Sequence, residues 1–220
     1  MADKPGRIHI VSSRPAEVQG EVHEVPVEDV ERALLEQLAA VEGDPTEAMW
    51  ELAQFYKLSG RLELAMQHFG AALERVTGVE EKAKVLLGLG QTAERSLNFE
   101  LAERFYRAGL SLEPTHAWTR YFLRNNLGYS LNQLERYEEG EALCREAIAI
   151  DPRRANAHKN LGIALERQGR HAEAARAYIA ATDANASDGR AMRHLEALLA
   201  DHPELQVSVV ASPGAEGASR

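Results

Sequence analysis

The sequence predicts an all-α protein: an α-solenoid of about four helix-turn-helix repeats, preceded by an N-terminal helix and followed by a C-terminal capping helix. Small residues recur at three fixed offsets inside units of about 34 residues, which indicates a repeat architecture. The apolar residues between them follow a helical period. The units span residues 46–79, 83–116, 121–154 and 155–188. Their eighth, twentieth and twenty-seventh positions hold only Gly or Ala, namely Ala53, Gly90, Gly128, Gly162, Ala65, Ala102, Gly140, Ala174, Ala72, Gly109, Ala147 and Ala181.

Each unit is predicted to contain two amphipathic helices. Leucine stands at every seventh position and a larger side chain at every twenty-fourth, giving Leu52, Leu89, Leu127 and Leu161, then Phe69, Tyr106, Cys144 and Tyr178. On a period of 3.6 residues, positions 7 and 11 share a helical face, and positions 20, 24 and 27 share a face of a second helix. The small residues let the two antiparallel helices approach closely. Pro114 and Pro152 end two of the second helices because proline lacks a backbone N–H.

Motifs in the last two units point to a known family. The third unit contains NLGY at 126–129, YEEGEA at 137–142 and AIAIDP at 147–152, and the fourth repeats NLG at 160–162 and GRHAEA at 169–174. Together these motifs resemble the tetratricopeptide repeat (TPR), which implies a helical array that binds other proteins. The first two units are longer than the others, so we expect extra residues near 77–82 and 117–120.

Four further segments lie outside the repeats. Residues 1–26 form an acidic segment that we expect to be flexible, because Pro, Gly and Glu follow a short β-prone run without helical period. Residues 27–42 are predicted to form a helix whose apolar stripe covers the first repeat. Residues 189–202 are predicted to form the capping helix that a repeat array needs for solubility. Residues 203–220 are predicted to be a disordered tail.

Composition excludes several classes of protein. Hydrophobic residues make up 45% of the 220 residues, which suffices for a continuous stacked core. No apolar run approaches the ~20 residues needed to cross a bilayer, so no membrane partner is predicted. No apolar stretch of a signal peptide follows the N-terminus. The single cysteine, Cys144, cannot form an intramolecular disulfide and is predicted to be a packed thiol. We therefore expect a cytoplasmic protein.

Charge and motif content indicate binding rather than catalysis. The net charge is −9, and residues 1–79 hold 7 Lys/Arg against 14 Asp/Glu. No nucleic-acid partner is predicted, because phosphate binding requires a basic surface. The eight histidines are scattered without metal-ligand spacing, so we expect no metal and no cofactor. The chain contains neither a phosphate-binding loop nor a nucleophile elbow, and we expect no enzyme activity.

The candidate binding surface is the groove lined by the first helix of each pair. Its N-terminal half is mixed and partly acidic, whereas its C-terminal half is rich in amides and cations. The candidate site residues in that half are Asn125, Asn126, Tyr129, Asn156, Lys159, Asn160, Arg190, Arg193 and His194. The cations there could attract acidic side chains or a terminal carboxylate.

Two asparagines, Asn126 and Asn160, occupy the sixth position of consecutive units. A primary amide can both donate to and accept from a peptide group, and similar asparagine ladders occur in peptide-binding TPR arrays such as those of O-linked N-acetylglucosamine transferases. The alternative interpretation is an ordinary solvated helix face. The carboxylate clamp of heat-shock-chaperone-binding repeats is only partly matched, by Asn160 and by Arg190. Departures from that clamp stand at Asn125, Tyr129 and His194.

These observations lead to one main hypothesis and two alternatives. The main hypothesis is a non-enzymatic adaptor or scaffold that binds a peptide or protein segment, acidic or carboxylate-terminated, in the concave TPR groove. The first alternative is a secretion-type chaperone that shields an export substrate. The second is a structural scaffold that self-assembles into a homo-oligomer, for example with the acidic N-terminal segment of one copy in the groove of the next. The fold alone does not choose among them.

Overall fold

The computed structural model describes residues 7–9 and 24–205, and within them the chain is almost entirely helical. The helices are α1 (Val27–Ala40), α2 (Thr46–Leu58), α3 (Leu62–Arg75), α4 (Val79–Arg95), α5 (Phe99–Ser111), α6 (Ala117–Gln133), α7 (Tyr137–Ile150), α8 (Ala155–Arg167), α9 (His171–Ala184) and α10 (Gly189–Asp201). The predicted fold class is confirmed, because residues 46–201 hold nine helices and no strand. None of the helices in the described residues is long and apolar enough to span a bilayer.

Two short strands precede the helices. β1 (Arg7–His9) and β2 (Glu24–Pro26) pair antiparallel, with Ile8 opposite Val25. The pairing differs from the flexible segment predicted for 1–26, and β-branched residues such as isoleucine and valine favour it. The rest of that predicted segment, residues 1–6 and 10–23, lies outside the described residues.

The two ends of the array are covered by single helices. In α1, Val30, Leu34 and Leu38 pack against the core of the first repeat. In α10, Leu195 and Leu198 pack against the last repeat. The tail predicted from residue 203 begins later than expected, because Leu205 is buried in the same apolar cluster as α10. Residues 206–220 lie outside the described part of the chain.

The extra residues of the longer units are helical. Helices α4 and α6 have 17 residues each, whereas α2, α8 and α10 have 13. The two additional turns are joined by Glu80, whose carboxylate accepts hydrogen bonds from the backbone N–H groups of Thr115 (3.2 Å) and His116 (3.3 Å) and from the hydroxyl of Thr119. Burial raises the pKa of Glu80, but these hydrogen bonds outweigh it and hold the pKa below its ordinary value.

The small residues allow bulky side chains to cross between helices, as the sequence predicts. A Cβ added at Gly90 would lie 2.3 Å from the ring of Tyr106, and one at Gly162 would lie 2.4 Å from the ring of Tyr178. Both tyrosines are fully buried. The eighth position of one helix therefore receives the twenty-fourth residue of its partner.

A left-handed residue ends the first helix of every pair at the fifteenth position of the unit. It is glycine in the first and last units, at Gly60 (φ 79°) and Gly169 (φ 75°). Leu97 (φ 57°) and Glu135 (φ 61°) adopt the same conformation with a side chain. A non-glycine residue in this region costs about 1 kcal/mol. In the two middle units the tight turn therefore forms although leucine and glutamate prefer a negative φ.

Arginine–glutamate pairs join successive units on the side of the second helices. The arginine stands at the sixteenth position and the glutamate belongs to the preceding helix pair or to α1, giving Arg61–Glu31 (2.8 Å), Arg136–Glu103 (2.7 Å) and Arg170–Glu141 (2.6 Å). The second unit has Asn98 at this position, and its side chain instead accepts a hydrogen bond from the N–H of Leu101 at the start of α5. The pairs thus recur with the repeat except at the boundary before α5.

Candidate functional site

The first helices of the repeats form one continuous inner layer. Helix α2 contacts α4, α4 contacts α6, and α6 contacts α8, whereas each second helix packs mainly on the helices before and after it in the chain. Helices that touch at every step lie on the shorter, concave side of a superhelix. The groove expected from the sequence therefore lies on the faces of α2, α4, α6 and α8, extended by α10.

Side-chain hydrogen bonds connect these inner helices at every step. Each bond joins residues about one repeat apart, namely Lys57 Nζ to Gln91 Oε1 (2.6 Å), Ser130 Oγ to Glu94 Oε1 (2.9 Å), Asn160 Nδ2 to Asn125 Oδ1 (3.1 Å) and Arg190 Nη2 to Asn156 Oδ1 (3.3 Å). Much of the polar lining of the groove is therefore already paired within the protein. Only side chains that take no part in these hydrogen bonds between repeats are free to bind a ligand.

Some of the asparagines predicted to face a ligand are buried in the structure, and others are exposed or partly exposed. Asn125 and Asn160 are only 4% and 3% exposed, and they bond to each other between α6 and α8. The side chain of Asn132 also donates to the backbone oxygen of Asn160 (2.9 Å). Asn126 is partly exposed and accepts a hydrogen bond from Asn125 (2.9 Å). Asn125 and Asn160 therefore hold two repeats together, contrary to their expected place on the open face. Of the four predicted asparagines, the partly exposed Asn126 and the exposed Asn156 are within reach of a ligand.

The aromatic candidate, Tyr129, lies at the edge of the same face. Its ring meets that of Phe99 edge to face, with centroids 6.0 Å apart. Burial raises the pKa of the Tyr129 hydroxyl, and the nearby carboxylate of Glu94 raises it further. The hydroxyl therefore remains protonated at neutral pH and can donate a hydrogen bond.

The predicted cations do come together at the C-terminal end of the groove. Lys159, Arg190, Arg193 and His194 line an open depression of about 360 Å³. Arg190 is engaged by Asp188, with Nε 2.8 Å from Oδ1, so its charge is largely neutralised. Neither Arg193 nor Lys159 forms an ion pair with an acidic side chain among residues 26–205. The site thus contains two cations available to a ligand.

The surroundings of this depression lower the pKa values of Lys159 and His194 and so disfavour their charged forms. Burial lowers the pKa of Lys159, and the guanidinium of Arg190 lowers it further, against the opposing effect of Asp188. Burial likewise lowers the pKa of His194, whose ring stacks on Tyr178 with centroids 5.3 Å apart. The contact with Tyr178 thus positions the ring of His194. An anion bound in the depression would favour the charged form of Lys159.

The sequence analysis missed a polar position whose four members are buried or partly buried in the array. The twelfth residue of each unit is polar and has a partner in the protein: Lys57, Glu94, Asn132 and Glu166. Glu166, for example, accepts a hydrogen bond from the hydroxyl of Tyr178 (2.6 Å). The recurrence of polar residues next to the small-residue face was a signal that could have revealed this position.

Two members of this position have strongly shifted pKa values. Lys57 is only 7% exposed, and burial lowers its pKa to about 8, assisted by Arg95 and opposed by Glu94. Burial raises the pKa of Glu94 to about 7, opposed by the hydrogen bond from Ser130. Near neutral pH, Glu94 is therefore divided between its protonated and ionised forms inside the array.

Glu94→Gln is expected to flatten the pH dependence of stability between pH 4.5 and 7. Because the pKa of Glu94 is raised on folding from its ordinary 4.5 to about 7, the folded state binds more protons in this window and loses stability as pH rises through it. Glutamine cannot ionise, so the variant lacks this loss, which amounts to about 2 kcal/mol. Urea unfolding at pH 5 and pH 8 measures the difference.

The matched control for this experiment is Glu138→Gln, which neutralises an exposed carboxylate at the start of α7. It should leave the difference between pH 5 and pH 8 as in the unmodified protein. An equal pH dependence in the Glu94→Gln protein would show that Glu94 is ionised in the folded state at pH 5.

Metal binding has no structural support in the described residues. No group of three or more His, Cys, Asp or Glu side chains between residues 24 and 205 is placed to hold a metal ion. Cys144 is fully buried, and burial raises the pKa of its thiol to about 12.

Known proteins share these repeats. Residues 46–75 and 119–186 match models of the tetratricopeptide repeat. The human tetratricopeptide repeat protein 7B is 28% identical over 182 residues, which is 76% of this chain and 21% of the human protein. The chain thus spans about a fifth of that relative.

Solved structures show the same fold at low sequence identity. MamA from Desulfovibrio magneticus RS-1 superposes with a TM-score of 0.62 at 17% identity, covering 77% of this chain and 92% of that one. The Hsp90 co-chaperone Cns1 from Saccharomyces cerevisiae has a TM-score of 0.56 at 18% identity, covering 61% of this chain and 44% of that one. Residues 46–75 and 119–186 are thus tetratricopeptide repeats by their match to the family models, and the solved structures share their fold.

Proposed function

We propose that this protein is a non-enzymatic adaptor or scaffold that binds a segment of a partner protein in its concave groove. The observation that supports it best is the open depression at the C-terminal end, where Lys159 and Arg193 lack acidic partners within the described chain. Several other polar groups along the inner helices are paired with each other. This depression therefore offers two cations side by side that can bind an anionic group.

An acidic segment fits this depression best. The pKa of Lys159 is lowered by burial and by Arg190, so the free protein bears a cost for keeping that ammonium charged. A carboxylate between Lys159 and Arg193 would offset the repulsion and form charge-assisted hydrogen bonds. The partly exposed amide of Asn126 lies on the neighbouring inner helix and can pair with a peptide group of the same segment. We propose an acidic side chain or a terminal carboxylate as the group bound.

The comparisons support protein binding only in general. Cns1 is described as an Hsp90 co-chaperone, and its likeness to this chain extends to the fold. The departures from the carboxylate clamp at Asn125 and Tyr129 favour a different partner, because Asn125 is buried and Tyr129 stands where the clamp has an asparagine. The acidic group is thus proposed from the local cations of this chain.

Arg193→Glu is expected to weaken binding of a labelled acidic peptide, such as a six-residue polyglutamate with a free C-terminus, by about tenfold or more. Charge reversal replaces attraction by repulsion and slows association, so the loss should shrink at high salt. Lys159→Gln should weaken binding to a smaller extent, because it removes one charge without reversing it. Fluorescence anisotropy at low and high salt measures both variants.

Arg176→Glu is the matched control, since it makes the same charge change on α9, outside the groove, at an exposed residue. It should bind the peptide as the unmodified protein does. Equal loss in Arg176→Glu would reveal attraction by overall charge, and full affinity in Arg193→Glu would place recognition elsewhere. Light scattering of the free protein tests the self-assembly alternative, which requires a mass above 24.3 kDa.

A further inference from the structure

An aromatic cleft lies in the other half of the groove, between α2, α4 and α6. It has a volume of about 320 Å³ and is lined by Trp50, Gln54, Lys84, Leu87, Gly88, Gln91 and Trp118. The walls are the two tryptophans, from α2 and α6, and α4 contributes the residues between them. The chain contains only these two tryptophans, and both face the same cleft.

The second wall exists because α6 is one turn longer than α2, α8 and α10. Trp118 is the second residue of α6, in the added turn that Glu80 joins to α4. Its side chain is 49% exposed and packs against Phe122, with ring centroids 4.6 Å apart and the rings tilted by 52°. Repeats of the shorter length have no residue at this place. The extra turn therefore builds a wall that a regular repeat lacks, and it keeps a large aromatic face open to solvent.

The polar groups around the cleft are mainly hydrogen-bond donors. The amide oxygen of Gln91 already accepts from Lys57 Nζ at 2.6 Å, which leaves the NH₂ group of Gln91 for a ligand. Lys84 can only donate. Apart from Gln54, which can donate or accept, this lining calls for a ligand rich in carbonyl acceptors and poor in N–H groups.

We propose that this cleft binds a proline-rich segment in the polyproline II conformation. Proline residues lack the backbone N–H, so their carbonyls are the main polar groups they present, and the polyproline II backbone leaves those carbonyls free. Pyrrolidine rings pack well on aromatic faces, and the preformed helix loses little conformational entropy on binding. The donor-rich lining between two tryptophans matches both properties. The inference rests on the proposed function only in placing a partner segment in the groove.

The test uses the two tryptophans as reporters. A proline decamer should change the intrinsic tryptophan emission of the full-length protein in a saturable way. A Gly-Ser decamer of equal length, which has an N–H at every residue, should bind about tenfold more weakly or not at all. Trp118→Ala should weaken the proline decamer about tenfold or more, read from Trp50 emission and by calorimetry. Trp118→Phe, which keeps an aromatic face, should retain most of the affinity.

Two comparisons make the outcome decisive. Leu58→Ala truncates another exposed apolar side chain, 65% exposed at the end of α2, and should leave decamer binding unchanged. Absence of binding to the unmodified protein, equal binding of the Gly-Ser peptide, or full affinity in Trp118→Ala would each overturn the inference. The polyglutamate peptide should still bind the Trp118→Ala protein, and the proline decamer should still bind Arg193→Glu. Loss of binding at the aromatic cleft is thereby distinguished from loss of binding at the cationic depression.

Discussion

Gly128→Leu is expected to lower the free energy of unfolding by about 3 kcal/mol, at the upper end of the range for overpacking. A Cβ at this position would lie 2.8 Å from Cys144 Sγ and 3.1 Å from the backbone oxygen of Gly140. A neighbouring side chain can rotate away, but the backbone of α7 cannot move without disturbing its own packing. Urea or thermal unfolding, followed by circular dichroism, measures the loss.

Gly70→Ala is the matched control for this substitution. Gly70 lies inside α3, and a Cβ added there meets nothing within 4 Å. Alanine should therefore raise stability by about 0.5 to 1 kcal/mol through helix propensity. A loss of stability in Gly128→Leu with a gain in Gly70→Ala would separate the effect of packing from that of helix propensity. Unchanged stability in Gly128→Leu would mean that α6 and α7 are not in close contact.

Removing residues 189–220 is expected to destabilise the last repeat and cause aggregation. Leu195, Leu198 and Leu205 are each buried against the cluster that contains Tyr178. Burying a leucine side chain stabilises by about 2 kcal/mol, so the deletion removes several kcal/mol and leaves an apolar face open to solvent. Thermal unfolding and light scattering measure the two effects.

The control for this deletion is a chain that ends after Leu205 and so retains α10 and its turn. It should unfold at the temperature of the full-length protein and scatter light as the full-length protein does. A deletion from residue 189 that stays monomeric and equally stable would show that α10 is dispensable as a cap.

The fold could be predicted because the repeat signal is local. The close approach of Gly90 to Tyr106, for instance, depends on two helices of one unit, and both helices carry their own part of the pattern. The positions of Asn125 and Asn160 could not be predicted in the same way. Whether an inner residue faces the groove or the next helix depends on the rotation between units, which no single repeat encodes. The cations at Lys159 and Arg193 were predicted as a group. The pairing of Arg190 with Asp188 is local, since the two residues are two apart in the sequence, but the sequence analysis missed it.

The carboxylate of Glu80 ties the beginning of α6 to the preceding repeat. His116, the N-cap residue of α6, makes no capping hydrogen bond with its own side chain, and Glu80 on α4 supplies an acceptor. The first turn of a helix is usually the part that frays by itself, because its N–H groups lack intrahelical partners. Here, fraying of that turn also requires breaking the hydrogen bonds that Glu80 accepts from Thr119 and from the two residues before the helix. The turn that carries Trp118 is therefore stabilised by the preceding repeat. The cleft is thus part of a cooperative unit larger than the repeat that carries it.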